Sequence, residues 1–158
     1  MYKLLMEKLT KDIIDIVIAE TSNINEKIKG LNFLELLKIS LIEKLLVLIN
    51  KNPFPLDKII DFEKEIEISS RKLLITVNYL IESLSLTKKQ IDNDSLIIGF
   101  NEYSNFDIYI DQKKFVSIIL SKNSGISLPR ETLFNAKYKK NILLLKIINK
   151  DSDQTLTN

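Results

Sequence analysis

The sequence predicts a mainly α fold with a small β-hairpin wing: a winged helix-turn-helix core with flanking N- and C-terminal helices. Three observations predict it. Apolar residues recur at three-to-four spacing along much of the chain, as on one face of a helix. Pro53 and Pro55 punctuate two such stretches. After residue 84 the period shortens, with strand-like runs on either side of Asp92-Asn93-Asp94.

The elements follow in order. Residues 3–20 place Leu5, Leu9, Ile13, Ile16 and Val17 near helical spacing, an amphipathic helix, and "TSNINEKIKG" breaks it. Residues 31–50 carry Leu34, Leu37, Leu41, Leu45 and Leu48, a second helix that "KNPFPL" must end. A short acidic helix is expected from Leu56, then a third from Ser69 to about Leu84. The Asx-rich tip at 92–94 favours a hairpin turn. "NFDIYI" alternates Phe106, Ile108 and Ile110 against polar neighbours, a further strand. Helices are expected again in "DQKKFVSIILSKN" and "RETLFNAKYKKNILLLKIINK", before a polar, disordered tail. The expected organisation is therefore an N-terminal helical extension (1–30), a winged domain (31–110), a C-terminal helical region (111–150) and a tail (151–158).

Composition narrows the function. At 158 residues and 45% hydrophobic, the chain is long enough for one globular domain, or two small ones sharing a core. The absence of Cys removes thiolate chemistry and disulfides, and the absence of His removes His-based acid/base catalysis, Ser-His-Asp triads and most catalytic zinc sites. The three glycines cannot build a phosphate-binding loop, and no cofactor is expected. Paired carboxylates such as Asp57 with Asp61 sit among lysines and read as a solvated face, so an enzyme is not expected. The N-terminus has neither a signal-peptide core nor a bilayer-spanning run, which predicts a cytoplasmic protein with no membrane partner.

The net charge of +2 argues for no polyanionic partner by itself. Its distribution does. Ser69 to Gln90 holds Arg71, Lys72, Lys88 and Lys89 against Glu82, a local +3, whereas Lys51 to Glu67 has three basic and five acidic residues, a local −2. In the expected third helix Ser69 is the N-cap and Leu73, Val77, Leu80 and Leu84 form the inward ladder. Ser70, Arg71, Lys72, Thr76 and Tyr79 then face outward at the end that enters a DNA major groove.

The segment "I-x-I-S-x-R-K-L-x-x-x-V-x-x-L", Ile66 to Leu80, resembles the recognition segment of DeoR-, BglG- and Mga/AtxA-type winged helix-turn-helix regulators. Ser69, Arg71, Leu73, Val77 and Leu80 carry the resemblance, and Lys72 stands where Thr is common. It implies a sequence-specific, double-stranded DNA-binding transcriptional regulator, with Ser70, Arg71, Lys72 and Thr76 in the groove and Lys88 and Lys89 on the wing backbone. Homodimerisation through the N- or C-terminal helices would serve paired half-sites. Lys137, Lys139, Lys140, Lys146 and Lys150 are either a second backbone-contacting surface or, preferably, the exposed face of the last helix. The alternative function is a helical interaction or adaptor protein without nucleic-acid affinity, using an apolar groove between its first and last helices.

Overall fold

The computed structural model describes residues 2–24, 32–51, 60–68, 71–110 and 113–150. Two helices come first, α1 (Tyr2–Asn23) and α2 (Phe33–Asn50), where the apolar periodicity places them. Asn32 caps α2, its side-chain oxygen accepting from the Glu35 backbone N–H at 2.9 Å. Everything described after α2 is β: β1 (Ile60–Ile68), β2 (Arg71–Leu80), β3 (Leu84–Gln90), β4 (Ser95–Phe100), β5 (Ser104–Ile110), β6 (Lys113–Leu120), β7 (Ser124–Leu128), β8 (Leu133–Tyr138) and β9 (Ile142–Asn149).

The strands form two antiparallel sheets, ordered β1-β2-β9-β4-β7 and β3-β8-β5-β6. The pairings follow one rule. β5 pairs with β6, β4 with β7, β3 with β8 and β2 with β9, as in one long hairpin folded over on itself. Apart from the β1–β2 and β5–β6 pairs, successive strands pass between the sheets, which makes the body a jelly roll, with β1 added at one edge.

The central strands of the five-stranded sheet are covered on both faces. Leu73, Ile75, Val77 and Tyr79 of β2, with Leu96, Ile98, Leu143, Leu145 and Ile147, pack under Leu37, Leu41 and Leu45 of α2 and Ile13 and Val17 of α1. On the opposite face Ile97, Ile142 and Leu144 meet Phe106, Phe134, Ala136 and Tyr138 of the second sheet. A central strand covered on both faces reads as a continuous apolar run, which is the character of "ILLLKII" in β9.

The mainly α winged helix-turn-helix is therefore corrected to a β-sandwich of the jelly-roll type with two helices on one face. The expected recognition helix is β2. Leu73 and Val77 are buried as its ladder required, but so are Ile75 and Tyr79 between and beyond them, because the true period is two. Described parts of the short acidic helix expected from Leu56, of the helix over 111–123 and of the last helix are β1, β6, and β8 with β9. The turn at 92–94 does not close a hairpin, since β3 and β4 lie in different sheets. Ser69, Ser70 and the tail 151–158 lie outside the described residues. Among the described residues no helix is long and apolar enough to cross a membrane.

Candidate functional site

The residues expected to meet DNA are not brought together. The Arg71 guanidinium lies 4.0 Å from the centroid of the Phe33 ring at the start of α2, a cation–π contact that ties β2 to the helical layer. Lys72 is exposed on the other face of β2, opposite Glu67 in the register with β1. Thr76 is half-buried on that same face, between Glu63 and Lys146 in register. Lys88 and Lys89 are exposed in β3, in the second sheet. Among the described residues there is neither a recognition helix nor a wing, and the double-stranded DNA partner and the regulator function are withdrawn. The adaptor reading and the dimer through a C-terminal helix fall with them, because the described C-terminal segment is β8 and β9.

Aromatic rings fill part of the space between the sheets. Phe106 meets Tyr138 edge-on at 5.8 Å and Phe134 at 6.1 Å between ring centroids. Burial pushes the Tyr138 hydroxyl pKa up. Lys146 sits on the inner face of β9, registered with Thr76 on one side and Ile97 on the other. Burial draws its ammonium pKa down, and the Glu63 carboxylate acts against that fall. Among the described residues no group of Asp and Glu is placed to hold a metal ion.

A polar groove crosses the outward face of the second sheet. Alternation along β5 turns Phe106 inward and Asn105, Asp107 and Tyr109 outward. Pairing with the neighbouring strands then builds rows across the sheet. One row is Ser85, Lys137, Asn105 and Ile119; the next is Asn135, Asp107 and Ser117. Serine, threonine and asparagine are short, and the longer Lys137 and Ile119 stand beside them. The result is an open groove of ≈ 380 Å³ lined by Ser85, Thr87, Asn105, Asp107, Ser117 and Asn135 among others.

Its hydrogen bonds form a chain. The Ser117 hydroxyl donates to Asp107 Oδ1 at 2.7 Å. Asn135 Nδ2 donates to the Tyr109 hydroxyl at 2.7 Å, and Asn135 Oδ1 accepts from the Lys88 backbone N–H at 2.7 Å. Lys88 can aim its N–H there because the β3–β8 register shifts between Leu86 and Lys89 and its own φ is 48°. Lys88 thus contributes its backbone to this network. The Ser117 hydrogen bond is the main cause holding the Asp107 carboxyl below its usual range, with Lys114, Asn135 and Lys137 acting in the same direction against a smaller effect of burial. Asp107 is therefore a fixed acceptor at neutral pH.

Sequence reasoning passed over Asp107, Tyr109, Ser117 and Asn135. The signal for the first two was present, since the alternation in "NFDIYI" already sets Asn105, Asp107 and Tyr109 on one face. Ser117 and Asn135 were hidden because their segments were expected to be helical.

No family model matches the sequence, and no curated protein matches it. Solved structures do resemble it. A cupin superfamily protein from Desulfitobacterium hafniense is 17% identical, with 66% of this chain and 86% of that chain covered and a TM-score of 0.44. An RmlC-like cupin with a double-stranded β-helix fold from Methanocaldococcus jannaschii is 11% identical, covering 67% and 94%, with a TM-score of 0.45. A conserved protein of unknown function from Streptococcus pyogenes is 18% identical, covering 60% and 75%, with a TM-score of 0.43. At TM-scores below 0.5 these likenesses add nothing to the architecture, which rests on the strand order.

Proposed function

We propose that this chain is a non-catalytic binding protein that takes a small, uncharged, hydroxyl-bearing ligand in the groove on the outward face of the second sheet. The observation that carries the reading is the fixed chain Ser117–Asp107 and Lys88–Asn135–Tyr109. Donors and acceptors already held in place lose little freedom on binding, so more of each new hydrogen bond appears as affinity. Asn105 adds an amide with both a donor and an acceptor, and Ser85 and Thr87 add hydroxyls. The Tyr109 ring offers an apolar surface beside this polar line.

Charge argues against a cationic ligand. Lys114 and Lys137 lie beside the Asp107 carboxylate on the same face, so no uncompensated negative charge attracts a cation, and charged controls decide whether the excess of one ammonium holds an anion. A carboxylate held in its ionised form is also a poor proton donor at neutral pH, which favours binding over acid/base catalysis.

Thermal-shift measurements against neutral monosaccharides and linear polyols, with inorganic phosphate and acetate as charged controls, test the reading. A neutral compound is expected to raise Tm in the native chain and to lose that effect in Asn135→Ala. Because the folded-state pKa of Asp107 lies below the usual range, the response should hold from neutral pH down to about pH 5 and weaken only as the carboxylate protonates. Stabilisation by phosphate alone, or an unchanged response in Asn135→Ala, contradicts it.

A further inference from the structure

Among the described residues β6 ends the second sheet and pairs on one side only, with β5. Its sequence, "KKFVSIIL", makes that edge unusual. Edge strands are normally short, bulged, twisted or charged along their length, which prevents another strand from adding to them. β6 has one such device, a bulge at Phe115 where the register with β5 shifts between Ile108 and Tyr109, but it is regular from Val116 to Leu120. Here the charge is confined to the ends: Lys113 and Lys114 begin the strand and Lys122 follows it, all exposed, with no acidic residue between 113 and 122. The middle is apolar and open. Phe115 is 70% exposed and Ile119 75%, with Ile110, opposite Lys113, 52% exposed. On the inner face Val116, Ile118 and Leu120 are only half-buried, whereas Phe106 on the neighbouring strand is buried. One added strand would cover apolar surface on both sides of β6 at once.

We propose that the free edge of β6 receives, as an added strand, an extended segment of a partner protein in which acidic and apolar residues alternate. Main-chain hydrogen bonds to the edge supply the general attraction, and alternate side chains supply selectivity. Apolar side chains on one face of the incoming segment lie beside Phe115 and Ile119. Acidic side chains meet Lys113 and Lys122 at the two ends of the edge, Lys114 being shared with Asp107, and basic segments are excluded by like-charge repulsion. This surface adjoins the groove, since Ser117 of β6 bonds Asp107 and Ile119 lines the groove, but Phe115 and Lys113 do not line it, so variants at those two positions test the edge by itself.

Fluorescein-labelled peptides of about eight residues, one alternating Glu with Val and one alternating Lys with Val, give the test by fluorescence anisotropy with the full chain. The Glu–Val peptide is expected to bind saturably and at least about tenfold more tightly than the Lys–Val peptide at low salt, with the gap narrowing as salt rises. Phe115→Glu and Lys113→Glu, both at exposed positions, should each weaken it by about tenfold without lowering Tm. Absence of saturable binding at low salt, equal binding of the two peptides, or unchanged affinity in both variants overturns the proposal. Self-association of the native chain that Phe115→Glu abolishes would assign the edge to a second copy and overturn it equally.

Discussion

Asn135 is the residue on which the groove turns, because its amide is held at both ends before any ligand arrives. Its position is fixed in turn by a backbone irregularity at Lys88, so the site depends on main-chain shape as much as on side-chain identity. Close backbone approach also decides the tolerance of Gly125 in β7. A Cβ there would sit 2.8 Å from Ile98 Cγ1 and 2.9 Å from the Ile97 carbonyl oxygen, and the carbonyl cannot yield without moving the strand. At Gly99 the nearest atom is the tip of the Ile142 side chain at 3.0 Å, which can turn away. Gly125→Ala is therefore expected to cost about 1–3 kcal/mol in chemical denaturation, and Gly99→Ala distinctly less. Equal costs would show that β4 and β7 do not approach as described.

At the scale of elements, the two helices are joined by a carboxylate. Glu20 of α1 is buried and accepts from the Lys44 ammonium at 2.8 Å and from the Ser40 hydroxyl, both on α2. The Lys44 and Ser40 hydrogen bonds hold its pKa below the usual carboxylate value, while burial opposes them. A pKa lowered in the folded state means stability that is present above the unfolded value, near 4.3, and lost as pH falls through the folded one. Glu20→Gln should thus cost about 1–2 kcal/mol at pH 7, with Lys44 partly exposed to solvent, and the difference from the native chain should shrink below about pH 4. A pH-independent difference in urea midpoints would contradict that role.

The same scale explains what was legible. Both helices were, because Leu34, Leu37, Leu41 and Leu45 satisfy a 3.6 period and no shorter one. β2 was not. Leu73 and Val77 are four apart, and four is both about one helical turn and two full strand periods, so a ladder chosen at that spacing cannot separate the two. The discriminating residues were Ile75 and Tyr79, with β-branched Ile75, Thr76 and Val77 consecutive. β9 was obscured for another reason, since a strand buried on both faces has no alternation to read. β5 was legible because only one of its faces is buried. The groove needed β6 and β8 as strands, so its second half was out of reach.

For the whole molecule, local sequence says least about pairing. Residues 70 apart in the chain, such as Thr76 in β2 and Lys146 in β9, are partners in the sheet, and the jelly roll exists only through such distant pairs. Turns mark the corners more visibly than strands mark their partners. Asn101, Asn123 and Asn141 all take positive φ, and the Asn101 backbone N–H donates to Asn123 Oδ1 at 3.1 Å across two corners. The helices cover one side of the sandwich, which leaves the outward face of the other sheet as the broad polar surface where a ligand can lie. The most direct measurement of this account is a titration of ¹⁵N-labelled protein with the neutral polyol or sugar that raises Tm most. The side-chain amides of Asn105 and Asn135 and the backbone amides of Asp107 and Ser117 should shift together and saturate with one affinity. Shifts confined to α1, α2 or the inner face around Thr76 and Lys146, with the Asn135 amide unmoved, would contradict it.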